Sequence, residues 1–129
     1  MIYASTDTEL KPIVNDVVPS NMQRMPDWSN ITETQKTPVN STPWTYTATE
    51  DCWFLVRLYH GGSTNTGERV GLSVNGTVVS SRSNAGYGGS SQTSGPIPLS
   101  KGETVTVTFN GYDGSLSGRT AYYTVIGVL

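Results

Sequence analysis

The side chains able to do covalent chemistry are few. The chain has one cysteine, Cys52, and one histidine, His60, which bracket a single apolar run. Triad-type nucleophilic catalysis needs a base held against its nucleophile. Cys52 opens the most apolar stretch of the chain, where a free thiol behaves as a small hydrophobe. His60 precedes Gly61-Gly62, the place of a solvated turn residue, so the pair does not make a nucleophilic site. A structural zinc site takes about four Cys or His ligands, and these two are all the chain offers. The adjacent acids Glu50-Asp51 would point to opposite faces of a strand, and they suit the turn leading into the run at 52–59. Asp113-Gly114-Ser115 lacks the repeated acids of a calcium loop. Neither Gly61-Gly62 nor Gly86-x-Gly88-Gly89 is followed by the Lys-Ser/Thr and helix start of a phosphate cradle. The sequence therefore predicts no enzyme, no metal and no cofactor, and a single cysteine allows no internal disulfide.

Binding chemistry is better represented. Three Trp and seven Tyr offer flat faces that suit the apolar side of a sugar ring. Most of these belong to a core or an interface. Tyr87, with Arg82, Asn84, Ser90 and Gln92 near it, and Tyr112, beside Asn110 and Asp113, fall instead in Gly/Ser-rich stretches. Tyr87, Tyr112, Asp113, Arg82 and Asn84 are the candidate ligand-binding residues; in the plainer alternative the two rings pack their loops down. The eight basic residues are scattered and the formal net charge is −2, so no stripe exists to follow a phosphate backbone and nucleic acid is excluded as a partner. No window approaches the ~18 apolar residues of a membrane span, and residues 1–7 do not have the form of a signal peptide.

These residues need a scaffold. At 129 residues the chain has room for one core, and its Gly, Ser, Thr, Asn, Tyr and Val are the alphabet of a β-protein. Residues 1–25 hold one apolar run, Ile13-Val14-Asn15-Asp16-Val17-Val18, and are expected to be an N-terminal arm or lead-in strand; residues 26–129 form the head. Short strand-like runs recur there between turn residues, which predicts an antiparallel sandwich. The strongest strand is 52–59, with Cys52, Phe54, Val56 and Leu58 on one face and Trp53, Leu55, Arg57 and Tyr59 on the other. Val70, Leu72 and Val74 alternate up to Asn75-Gly76, the signature of a two-residue hairpin turn. Residues 80–94 are poor in large aliphatics and are expected to form a long exposed loop. Beyond the turn Ser100-Lys101-Gly102, Val105, Val107 and Phe109 point inward and three Thr outward. The chain closes with Ala121, Tyr123, Val125 and Leu129 on one face and Tyr122, Ile126 and Val128 on the other.

Two strands that are apolar on both faces need a second cover. If 52–59 and 120–129 share a sheet, Trp53, Leu55, Tyr59, Tyr122, Ile126 and Val128 make an outer patch larger than a monomer normally exposes. Either the patch is a subunit interface, or the run at 12–18 folds across it within one chain.

Met25-Pro26-Asp27-Trp28-Ser29, the strand 52–59 preceded by Tyr46-Thr47-Ala48-Thr49-Glu50-Asp51, Val74-Asn75-Gly76-Thr77-Val78, Ile97-Pro98-Leu99-Ser100-Lys101-Gly102-Glu103-Thr104-Val105 and the C-terminal strand together resemble the C-terminal heads of phage and prophage tail fibres. These are jelly rolls of the C1q and tumour-necrosis-factor type. The resemblance spans roughly residues 25–129, and the order and spacing of the pieces carry it; residues 1–24 contain no collagen-like or heptad repeat, a departure from the family pattern. It implies a homotrimer with the last strand along the threefold axis. It also implies distal binding loops, here 61–69, 82–94 and 110–118, and a bacterial cell-surface glycan as partner. The expected setting is the virion tail fibre, or the bacterial cytoplasm before assembly when prophage-encoded. Two alternatives remain open: a purely structural trimerisation domain, and a monomeric carbohydrate-binding module of a secreted gut-bacterial protein.

Overall fold

A computed structural model describes residues 24–60, 68–84, 90–111, 116 and 118–129. The candidate arm before residue 24, including the run at 12–18, lies outside them. Eight strands follow in order: β1 (Pro26–Lys36), β2 (Trp44–Thr47), β3 (Cys52–His60), β4 (Glu68–Val74), β5 (Thr77–Asn84), β6 (Ser90–Leu99), β7 (Thr104–Gly111) and β8 (Arg119–Val128). They form two four-stranded sheets, ordered β1-β8-β3-β6 and β2-β7-β4-β5, with antiparallel pairing throughout. Among the described strands, β4 and β5 alone follow one another within one sheet; each other consecutive pair lies in opposite sheets.

The core is the inner face of each sheet, and period-two alternation supplies it. Cys52, Phe54, Val56 and Leu58 of β3 are buried, opposite Val70 and Leu72 of β4 and Val105, Val107 and Phe109 of β7. Asn75-Gly76 makes the expected tight turn, with φ of 53° and 78°, as a hairpin matching strand twist requires. At the same end of the sandwich, where β7 begins beside this turn, Lys101 N–H donates to Asp51 Oδ1 at 2.8 Å and Gly102 N–H to the Ala48 carbonyl at 2.7 Å, which ties the β2–β3 and β6–β7 turns together.

Residues 80–94 differ from the expected loop. Ser80 to Asn84 complete β5, and Ser90 to Ser94 begin β6. Both are edge strands, whose side chains need little burial, so polar residues serve there and the apolar period disappears. Ser80 also fastens the two sheets: its Oγ accepts from Gly95 N–H at 2.9 Å and from Ser94 Oγ at 2.8 Å. Gly95, at φ 99°, also passes close to the neighbouring strand β3, because a Cβ there would stand 2.8 Å from the Phe54 carbonyl oxygen.

Cys52 is buried as expected. Desolvation, with Asp51 adding to it, pushes its thiol up to about 11. Folding thus favours the protonated thiol. Its contribution to stability is complete below the ordinary thiol value of about 8.5 and is lost as pH climbs through the folded value. The native protein should resist alkylation near neutral pH and react at Cys52 once denatured. Urea unfolding at about pH 8 and about pH 10.5 should show an alkaline loss of stability that Cys52→Ala lessens.

Candidate functional site

Of the candidate ligand residues, Tyr87, Tyr112 and Asp113 lie outside the described residues. Asn84 is the last residue of β5. Arg82 belongs to the same strand, exposed and in register with Val70, and so sits on an edge strand where a loop was expected. Among the described residues no three His, Cys, Asp or Glu side chains converge, and no helix is long and apolar enough to cross a membrane.

The six candidate interface residues do share a surface. β3 and β8 are neighbours, with Trp53 opposite Ile126, Leu55 opposite Thr124 and Arg57 opposite Tyr122. Registers with β1 and β6 extend the Trp53–Ile126 pair into a row of Ile31, Ile126, Trp53 and Pro98 across the whole outer face of the sheet. Ile126 is only 3% exposed within that row, whereas Ile31 stays 49% exposed; Trp28 of the same strand is 67% exposed. Trp53 Nε1 donates to the Arg24 carbonyl at 2.6 Å, so the chain enters β1 beside this row. The other half of the face is polar. Arg57 stacks over the Tyr122 ring at 4.5 Å and lies 4.0 Å from Glu33, a combination that alternation along one strand does not disclose.

A second site was not anticipated. The β5–β6 side of the sandwich is fastened through Ser80, whereas β1 and β2, the opposite edges, belong to different sheets and leave a cleft between them. Its lining comes from four separate segments: Thr32 and Thr34 of β1, Tyr46 of β2, Thr49 of the following turn, and Tyr123 and Val125 of β8. The open groove holds about 240 Å3. Thr32 and Thr34 turn inward because they pair with Val125 and Tyr123. The floor is aromatic: Tyr46 stacks on Phe54 at 5.0 Å, and Tyr123 packs 4.9 Å from Trp44 and 5.7 Å from Tyr46. Desolvation raises the Tyr46 hydroxyl above its ordinary value, with Cys52 and Tyr123 adding to the shift and a hydrogen bond to Thr49 opposing it. The phenol is therefore a neutral donor and acceptor at physiological pH.

A separate, smaller hollow of about 140 Å3 is lined by Lys36, Thr37, Val39, Thr42, Pro43, Trp44 and Phe109. Lys36 lies 5.0 Å over the Trp44 ring. The β1–β2 connection is strapped to the end of β7 by Gly111 N–H to Asn40 Oδ1 at 2.7 Å and Ser41 N–H to the Phe109 carbonyl at 2.8 Å. The sequence signal for this site was the pair of alternating Thr in β1 and the Trp44-x-Tyr46 spacing. Neither distinguishes a groove from a solvated strand face without the register.

No family model and no curated protein matches the chain. Among solved structures, a chain described under the words "Bacillus endospore appendages form a novel family of disulfide-linked pili" aligns over 84% of this chain and 94% of its own, at 17% identity and a TM-score of 0.37. A likeness of that size carries no inference about function.

Proposed function

We propose that this chain is a non-catalytic head domain that assembles as a homotrimer and binds a bacterial surface glycan, at the tip of a phage or prophage tail fibre. The observation that carries the assembly reading is the apolar row Ile31, Ile126, Trp53 and Pro98, in register across all four strands of one outer face. Antiparallel sheets ordinarily keep such a face wet. Burying the row between copies at roughly 25 cal/mol per Å2 supplies a driving force for association. The strand order β1-β8-β3-β6 and β2-β7-β4-β5 supports reading the sandwich as a jelly roll of the C1q and tumour-necrosis-factor type.

Light scattering across a dilution series tests the assembly. The expected mass is three times the 13.9 kDa chain, falling to one chain for Ile31→Arg, whose exposed side chain can change without disturbing the core. A wild-type mass of one chain at every concentration would overturn the trimeric head. It would favour the alternative of a monomeric carbohydrate-binding module, for which the aromatic cleft is the specific support. A trimer that binds no glycan would leave the structural trimerisation domain.

A further inference from the structure

We infer that the cleft between β1 and β2 is a binding site for an uncharged saccharide chain, separate from the outer-face row and from the distal loops. Three features point there. The first is chemical: the lining combines aromatic surface from Tyr46 and Tyr123 with the hydroxyls of those two tyrosines and of Thr32, Thr34 and Thr49, and it contains no carboxylate. A pyranose presents the matching pair of surfaces, an apolar C–H face for a ring and hydroxyls that both donate and accept. Lys36 is engaged over Trp44, and among the described residues the groove's lining carries no charged side chain, so it does not call for an anion.

The second feature is size. About 240 Å3 lies below the roughly 300–1,000 Å3 of pockets that engulf a small molecule. An open groove of this kind suits one or two rings of a longer chain, with the remainder passing out at either end. The third is the position of β1. Inward-facing polar residues and a lysine on an edge strand deter another strand from pairing there, and that role alone explains Thr32, Thr34 and Lys36. It does not explain why Tyr46, Tyr123 and Trp44 meet at the same place. It also weighs against the competing occupant, an incoming strand from a second copy, which the inward-facing threonines and the lysine of this edge deter.

Chemical-shift mapping by heteronuclear NMR, with millimolar uncharged oligomers of glucose, mannose and N-acetylglucosamine as probes, tests the inference. At least one oligomer should move signals of residues 32–34, 44–49 and 123–125. Tyr123→Phe and Thr34→Val remove single hydroxyls at nearly constant volume, and each should weaken that binding by about two- to tenfold. Thr34→Trp, which fills the groove from an edge strand, should abolish it while the remaining spectrum stays folded. No shifts with any oligomer would overturn the inference. Shifts confined to 82–94 or 110–118, unaffected by the groove variants and lost in Tyr87→Ala or Tyr112→Ala, would also overturn it, while leaving glycan binding by the distal loops standing. A change in solution mass on Thr34→Trp without any saccharide shift would assign the cleft to a strand of another copy and overturn it as well.

Discussion

Phe54→Ala is expected to lower the stability of this domain by about 3–5 kcal/mol, the range for truncating a fully enclosed aromatic. Phe54 is 0% exposed in the middle of β3. Its ring stacks on Tyr46 of the opposite sheet at 5.0 Å and lies 6.0 Å from Tyr123 of the adjoining strand. Truncation thus removes buried area and also the support on which the two cleft tyrosines rest. For a domain of about 100 residues each kcal/mol moves Tm by about 4–8 °C, so the midpoint should fall by roughly 12–40 °C. Differential scanning calorimetry checks this, with wild type and variant at equal protein concentration because assembly would raise the apparent Tm of both. A drop of only a few degrees would mean that the sheets close over the void, and that the cleft floor is softer than its ring contacts indicate. Phe54→Leu, which retains apolar volume but no flat face, should be milder in stability while still loosening Tyr46.

Much of the scaffold was legible because burial on one face writes a period of two into the sequence. The even face of β3, the Val105-Val107-Phe109 row of β7 and the Asn75-Gly76 turn fall where the pattern put them. The edge strands were not legible. β5 runs through Ser80-Ser81-Arg82-Ser83-Asn84, and most of β1 is Ser, Asn, Thr, Glu, Gln and Lys. A strand paired on one side only gains less from apolar side chains and pays an aggregation risk for carrying them. Its residues then look like those of a loop. The cleft escaped notice for a related reason. Its rings and hydroxyls come from β1, β2, the next turn and β8, and they meet only when the register Thr34↔Tyr123 is known. On the outer face, alternation identified the apolar half with Trp53 and Ile126. It missed the polar half because Arg57, Glu33 and Tyr122 sit on three different strands.

The charge pattern gives no sign of one buried ion pair. Glu68 and Arg119, each the first residue of its strand, resemble ordinary solvated flanks of loops, yet both are buried, at 2% and 9% exposure. Arg119 of β8 and Glu68 of β4 belong to opposite sheets, and Nη2 lies 3.5 Å from Oε2, so the pair joins the sheets at one end of the core. Taking two charges out of water costs several kcal/mol each, and their attraction repays this only while both are present. Arg119→Met should therefore cost about 3–5 kcal/mol, because it takes the guanidinium away from a carboxylate that remains enclosed. Adding Glu68→Leu to that variant should recover most of the loss, since an apolar pair of similar bulk carries no desolvation penalty. Urea titration of the two single variants and the double variant forms a thermodynamic cycle. A coupling of about 2 kcal/mol or more identifies the pair as one unit. If the double variant is instead as unstable as the sum of the singles, each side chain acts through its own surroundings and the pair does not fasten the sheets. In the first outcome the buried pair contributes to the alignment of the sheets more than to stability: it penalises any packing of one sheet on the other that separates Glu68 from Arg119, at the end of the sandwich opposite the Lys101–Asp51 tie.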